Sequence, residues 1–179
     1  VEDTAQAFGA KFIKGKYSGR FAGTVGAFGT FSFFPTKNLG ALGDGGAISS
    51  TNADFLVKAK SIASHGQRKK YEHHLLGLNS RLDPIQAAAL AVKLKFLPEA
   101  LSAKTLISEQ YLAAFQPLKQ VVVPETASFS NHTYHQFTLT IPSEKRDRFV
   151  EYMREKGIST MVYYPIPLHK QKAYAHFEP

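Results

Sequence analysis

One lysine in this sequence stands where an amine could do covalent chemistry. Lys37 follows Ser32-Phe33-Phe34-Pro35-Thr36 and precedes Asn38-Leu39, after which Gly43-Asp44-Gly45-Gly46 is dense in glycine. A lysine in so apolar and aromatic a turn has two ways to stand. It can snorkel, with its stem along the rings and its ammonium in water. Alternatively, partial burial lowers its pKa and frees a neutral amine to attack a carbonyl, as a Schiff-base lysine does.

The start of the chain adds an acid and an amide at short spacing, in Val1-Glu2-Asp3-Thr4-Ala5-Gln6. A pyridoxal phosphate enzyme sets a carboxylate against the pyridinium nitrogen of its cofactor, because the protonated ring is the electron sink. It also places a hydroxyl near the phosphate, and Ser32 lies five residues before Lys37. Taken singly, Asp3 reads as a helix cap or a solvated acid, and Ser32 as a strand hydroxyl. Taken with Lys37, they form an ordered set.

In this order the motifs resemble the DegT/DnrJ/EryC1/StrS sugar aminotransferases, which are fold-type I pyridoxal phosphate enzymes. The resemblance is carried by Glu2-Asp3-x-Ala5-Gln6, Ser32-Phe-Phe-Pro-x-Lys37-Asn38-Leu39 and Gly43-Asp-Gly-Gly46. It continues through His65-Gly66, Gly77-x-Asn79-Ser80-Arg81-Leu82-Asp83, Ile85-Gln86-Ala87-Ala88 and Tyr164-Pro-x-Pro-Leu-His169. It implies an α/β fold: residues 1–97 as part of a three-layer α/β/α cofactor-binding domain, and 98–179 as a helical linker with an incomplete small α+β domain. It implies that Lys37 bonds the cofactor, Asp3 pairs with the pyridinium nitrogen, Gln6 lies beside the ring and Ser32 holds the phosphate. Asn79 is implied to reach the phosphate of the neighbouring subunit's cofactor, which makes a homodimer with composite sites. Some relatives carry histidine at the Lys37 position and act as sugar dehydratases, so lysine here favours transamination. The implied reaction moves an amino group from an amino acid, typically glutamate, to a keto group of a nucleotide-linked sugar. A relative that binds the cofactor or a sugar nucleotide without turnover is the alternative reading. The family has a long segment before Asp3 and closing elements beyond Pro179, so this stretch is expected to be a fragment, inactive by itself.

Composition fits a globular chain. Of 179 residues, 44% are hydrophobic and 20% charged, enough to bury a core without a bias toward disorder. The absence of cysteine excludes disulfides and Cys-based zinc sites. No apolar run is long enough for a membrane span, and the start is acidic rather than leader-like, so a cytoplasmic location is the expectation. The formal net charge of +8 raises nucleic acid as a partner. The basic residues are dispersed, however, and no nucleic-acid motif appears. A solvated basic surface that attracts phosphate-bearing small molecules accounts for the charge.

These groups must be positioned by ordinary elements. Gly29–Phe34 reads as a strand into the lysine turn, and Ala47–Ser50 as a second. Asn52 or Thr51 caps a helix over 53–64 with an apolar stripe of Phe55, Leu56, Ala59, Ile62 and Ala63, closed by Gly66. Gln67–Lys70 reads as a basic loop. Asp83 and Pro84 start a helix whose apolar face runs from Ile85 to Leu97, with Pro98 breaking it before a second helix over 99–115. The domain boundary falls in this helical region. Beyond it, 121–123, 133–141 and 158–164 read as strands and 143–156 as a helix closed by Gly157. His73 and His74 lack the carboxylate pattern of a metal site, and no metal is expected. His132 and His135, three apart near a strand start, should face opposite ways. His169, and Arg81 beside Asn79, are the remaining candidates for substrate contact.

Overall fold

The computed structural model describes residues 1–176. Strand β1 (Glu2–Asp3) lies parallel to β2 (Gly29–Ser32), with Glu2 beside Gly29 and Asp3 beside Thr30. β2 turns back into the antiparallel β3 (Gly46–Ser49), Ser32 opposite Gly46. The sheet order is β1-β2-β3, and the β2–β3 connection carries Lys37. The expected strand over 29–34 ends at Ser32 because the loop folds onto itself. Phe33 N–H still donates to Gly45 O at 2.7 Å, but its carbonyl accepts from Ala41 N–H at 2.8 Å. Gly40 permits that return: a Cβ there would stand 2.2 Å from the Pro35 carbonyl oxygen.

The core lies directly under this loop. Phe33, Leu39, Ala41, Leu90 and Leu97 are buried together, with Phe8, Phe31 and Leu101 packed against them. Phe8 makes T-shaped ring contacts with Phe31 and Phe33 at centroid distances of 5.5 and 5.9 Å. The residues flanking Lys37 therefore divide their work. Phe33 and Leu39 anchor the loop, at about 1.5–3 kcal/mol per buried large apolar side chain, while Phe34 is 48% exposed.

Helix α1 (Ala53–Ala63) starts where expected, and Asn52 Oδ1 accepts from Asp54 N–H at 2.9 Å. Gly66, at φ +73°, returns its N–H to Ser61 O at 2.7 Å and ends the helical path. The basic stretch expected as a loop is instead half of a hairpin: β4 (Gln67–Lys69) pairs with β5 (Glu72–His73). Backbone pairing satisfies a polar segment's amides without any apolar periodicity to announce it. Helix α2 (Pro84–Leu94) begins at Asp83-Pro84 as expected, although the Asp83 side chain makes no capping bond. Helix α3 (Leu97–Phe115) takes Pro98 into its first turn, where the missing N–H removes no helical bond. Of the apolar face expected on this stretch (Ile85, Ala88, Ala89, Val92, Leu94, Phe96 and Leu97) only Leu97 joins the described core. Ile85 and Phe96 are 73% and 61% exposed, and the core is instead reached by Leu90, which was not on that face.

The later strands are a correction. Residues 121–123 and 133–141 contribute a single bridge, Val122 with Thr140, closed by two backbone bonds of 3.0 Å. The described backbone over 158–164 forms no strand. Apolar β-branched residues make strands only when a neighbour completes the ladder, and these segments find at most one pairing position. Helix α4 (Ser143–Glu155) and the left-handed Gly157 (φ +75°) follow expectation. The chain's last residues, 177–179, lie outside the described part.

Candidate active site

Lys37 is held by a tight turn in which its own N–H donates to Phe34 O at 2.8 Å, and the residue is half-buried. Asp3 stands at the end of β1, where Oδ1 accepts from Ala5 N–H at 3.0 Å and bends the chain toward Gln6. Glu2 pins this strand from the other side. Its carboxylate accepts from the N–H groups of Gly23, Val25 and Gly26 at 2.9, 2.7 and 2.5 Å. Burial pushes the Glu2 carboxyl up, but the three backbone donors and the Arg20 charge outweigh it and hold the group below its ordinary range.

Asp3, Gln6 and Lys37 line one cavity of about 550 Å³. Ala5 and Ala7 contribute small side chains, and Pro124, His132, His135, Gln136 and Thr138 complete the lining. This second group was not legible as a site. His132 and His135 were expected on opposite faces of a strand. Instead Tyr134, at φ +42°, breaks the extended backbone, and both histidines line the same cavity.

The two imidazoles are distinguishable. Tyr134 N–H donates to His132 Nδ1 at 2.9 Å, which leaves the ring proton on Nε2, and burial holds His132 below its ordinary pKa. His135 is lowered by burial first, then by the positive charges of Lys37 and Lys104. Its Nδ1 is buried and has no hydrogen-bond partner among the described residues. Both rings are therefore neutral at neutral pH, each with one donor and one acceptor nitrogen.

The other candidates lie elsewhere in this chain. Ser32 Oγ accepts from Phe34 N–H at 3.3 Å and is not part of the cavity lining. Asn79 is exposed, and its Oδ1 accepts from Arg81 Nε at 3.2 Å. Arg81 lines a second cavity of about 760 Å³ with Thr30, Ile48, Lys60 and Ser80, between β2–β3 and α1. His169 is exposed in a 3-10 turn, Leu168–Lys170. Among the described residues no three His, Cys, Asp or Glu side chains converge as metal ligands, and no helix is long and apolar enough to cross a membrane.

Comparison with known proteins gives this arrangement a context. The chain matches the DegT/DnrJ/EryC1/StrS aminotransferase family over residues 1–179. It is 43% identical over 177 residues to a pleiotropic regulatory protein of Geobacillus stearothermophilus, covering 98% of this chain and 46% of that protein. It is 37% identical over 175 residues to the dTDP-3-amino-3,4,6-trideoxy-alpha-D-glucose transaminase of Streptomyces venezuelae, covering 98% and 44%. Among solved structures, S. venezuelae DesV in complex with ketimine intermediate superposes with a TM-score of 0.90 at 35% identity, covering 98% of this chain and 46% of that one. The chain thus spans about half the length of the curated relatives it matches.

Proposed function

The chain belongs to the DegT/DnrJ/EryC1/StrS aminotransferase family and has the fold of the fold-type I aminotransferases; from that premise we propose that it serves a pyridoxal phosphate-dependent transamination. In this reading the amino group of an amino acid, glutamate first among them, passes to a keto group of a nucleotide-linked sugar. One observation carries the proposal: Asp3 and Gln6 from the chain's start and Lys37 from the β2–β3 connection line a single cavity. The transaminase name of the S. venezuelae relative supports the substrate class.

The residues present fit pyridoxal phosphate. An amine and a carboxylate line the same cavity, and the buried, unpartnered Nδ1 of His135 leaves polar capacity for a bound group to meet. When bound, the cofactor supplies an electron sink for a substrate carbanion. Lys37 would hold it covalently, and the Lys37 Nζ would be the group placed to take and return the substrate proton. The Asp3 carboxylate would hold a proton on the ring nitrogen and Gln6 would lie beside the ring, while Ser32, outside this lining, is assigned to the phosphate by the family resemblance alone. His132 and His135, neutral at neutral pH, can orient polar substrate groups without adding charge.

Asn79 lies outside the lining of its own chain's cavity. We assign it to the phosphate in a neighbouring subunit, so the working unit is a homodimer with composite sites. Arg81, for its place beside Asn79, and His169, for the resemblance of its loop to the family's substrate-side loop, are assigned to substrate contact. Residues 1–97 then belong to the large cofactor-binding domain and 98–179 to a helical linker and small α+β domain, working in the cytoplasm.

The test is covalent. The intact protein incubated with pyridoxal phosphate and reduced with borohydride should carry the label on Lys37 by peptide mapping, and glutamate should drive amination of keto-sugar nucleotides. A label on another lysine, or no label with no amination, would overturn the reading.

A further inference from the structure

Lys104 lies in α3, half-buried, and its Nζ donates to Asn38 Oδ1 at 2.6 Å rather than to a carboxylate. Among the described residues no acidic side chain forms an ion pair with it. Burial without a counter-ion is costly for an ammonium and pushes the Lys104 pKa down. Asn38 is the residue after Lys37, and its Nδ2 donates to Thr133 O at 3.2 Å. Thr133 is 5% exposed and lies between His132 and His135 in the chain. One amide therefore uses both of its ends to join three elements: the Lys37 loop, α3 and the histidine segment.

Packing at the same place is close. A Cβ at Gly9 would stand 2.6 Å from Leu101 Cδ1 and 3.9 Å from Thr133 Cγ2, so α3 and the histidine segment meet over this glycine. The amide's orientation is dictated by its partners. The ammonium can only donate, so Oδ1 must face Lys104, and this leaves Nδ2 for the Thr133 carbonyl.

We propose that Asn38 and Lys104 are positioning residues that fix the His132–His135 segment against the Lys37 loop, and so set which groups surround the Lys37 amine. The consequence for catalysis rests on reading Lys37 as the reactive amine; the bridge itself does not. The bridge explains why a lysine without a carboxylate partner is kept half-buried in α3, because a neutral side chain there would leave Asn38 Oδ1 without its donor and the amide tied to Thr133 alone. It also places a second positive charge where it bears on His135.

The experiment reads the bridge directly in the intact protein, by hydrogen exchange of the backbone amides over 132–136 and by NMR titration of the His135 ring. Asn38→Ala and Lys104→Met should each speed local exchange roughly tenfold, the loss expected when a hydrogen bond to a charged group goes. Lys104→Met should also raise the His135 titration midpoint, and Lys104→Arg should restore both readouts. Asn38→Asp keeps a partner for Lys104 but loses the donor to Thr133, so it should loosen the segment without unpairing Lys104. Lys93→Met removes a different lysine bond to this loop, at Gly40 O, and should change neither readout. Unchanged exchange in Asn38→Ala and Lys104→Met would overturn the proposal. So would acceleration spread evenly along the chain, or the same response to Lys93→Met. Failure of the transamination reading would appear separately, as no covalent label on Lys37.

Discussion

Glu2→Gln is the perturbation that shows how Asp3 is held in place. The Glu2 carboxylate uses Oε1 for the N–H groups of Val25 and Gly26 and Oε2 for that of Gly23. Glutamine keeps one acceptor oxygen and replaces the other with an NH₂, which cannot accept. The rotamer that keeps Val25 and Gly26 sacrifices only Gly23, leaving a donor facing a donor. Bonds to a charged acceptor contribute roughly 1.5–3 kcal/mol each, and the half-buried setting screens them, so we expect a loss of about 2 kcal/mol. For a chain of this size that corresponds to a fall in Tm of roughly 4–8 °C. The pH dependence supplies the sharper test. The folded Glu2 carboxyl lies below its ordinary value of 4.5, so the wild-type advantage is complete above that value and is lost as pH falls through the folded pKa. Thermal or urea unfolding of both proteins should show a wide gap at pH 7 that closes well below pH 4.5. A gap of the same size at low pH, or none at pH 7, would refute the argument that three backbone donors and a carboxylate charge fix β1.

Two further outcomes follow from the proposed roles. Asp3→Asn should keep the fold, because an amide oxygen can still accept from Ala5 N–H, and should keep Lys37 open to reductive labelling while turnover falls by about 10²-fold or more; undiminished turnover would remove Asp3 from the site. Mixing inactive Lys37→Ala and Asn79→Ala subunits should restore part of the activity, since one of the two sites in a mixed dimer collects both intact residues. Subunit exchange confirmed by mass spectrometry without recovered activity would count against a shared site.

The readable parts of this fold are those whose signals are local. Asn52 capping α1, Pro84 opening α2 and Gly157 closing α4 each depend on a few adjacent residues, and each appears where the sequence puts it. The strands after Phe115 depend on neighbours that local patterns do not supply. Val121-Val122-Val123 has the side chains of a strand, yet among the described residues it pairs only through Val122. The 67–73 hairpin failed in the opposite direction. Its residues are polar on both faces, so alternation carried no information, and backbone pairing alone makes it.

The cavity divides along the same line. Asp3, Gln6 and Lys37 were legible because each sits in a short motif whose residue types suit one chemistry. His132, His135 and Lys104 carry no such motif, and Asn38, although it sits in the Lys37 motif, has no role written in its residue type. The spacing of the two histidines pointed away from a shared site on the premise of an extended backbone, and a single left-handed residue, Tyr134, reverses that conclusion. What holds Tyr134 there is partly local, through its N–H to His132 Nδ1. It is also partly distant, through Asn38 bonding the preceding carbonyl at Thr133 from ninety-five residues away. A three-residue spacing here places two imidazoles on one cavity because the backbone between them is bent, with one local bond and one from a partner remote in sequence at the bend. That dependence makes the segment around Thr133 the place where a change outside the recognisable motifs should most alter what surrounds Lys37.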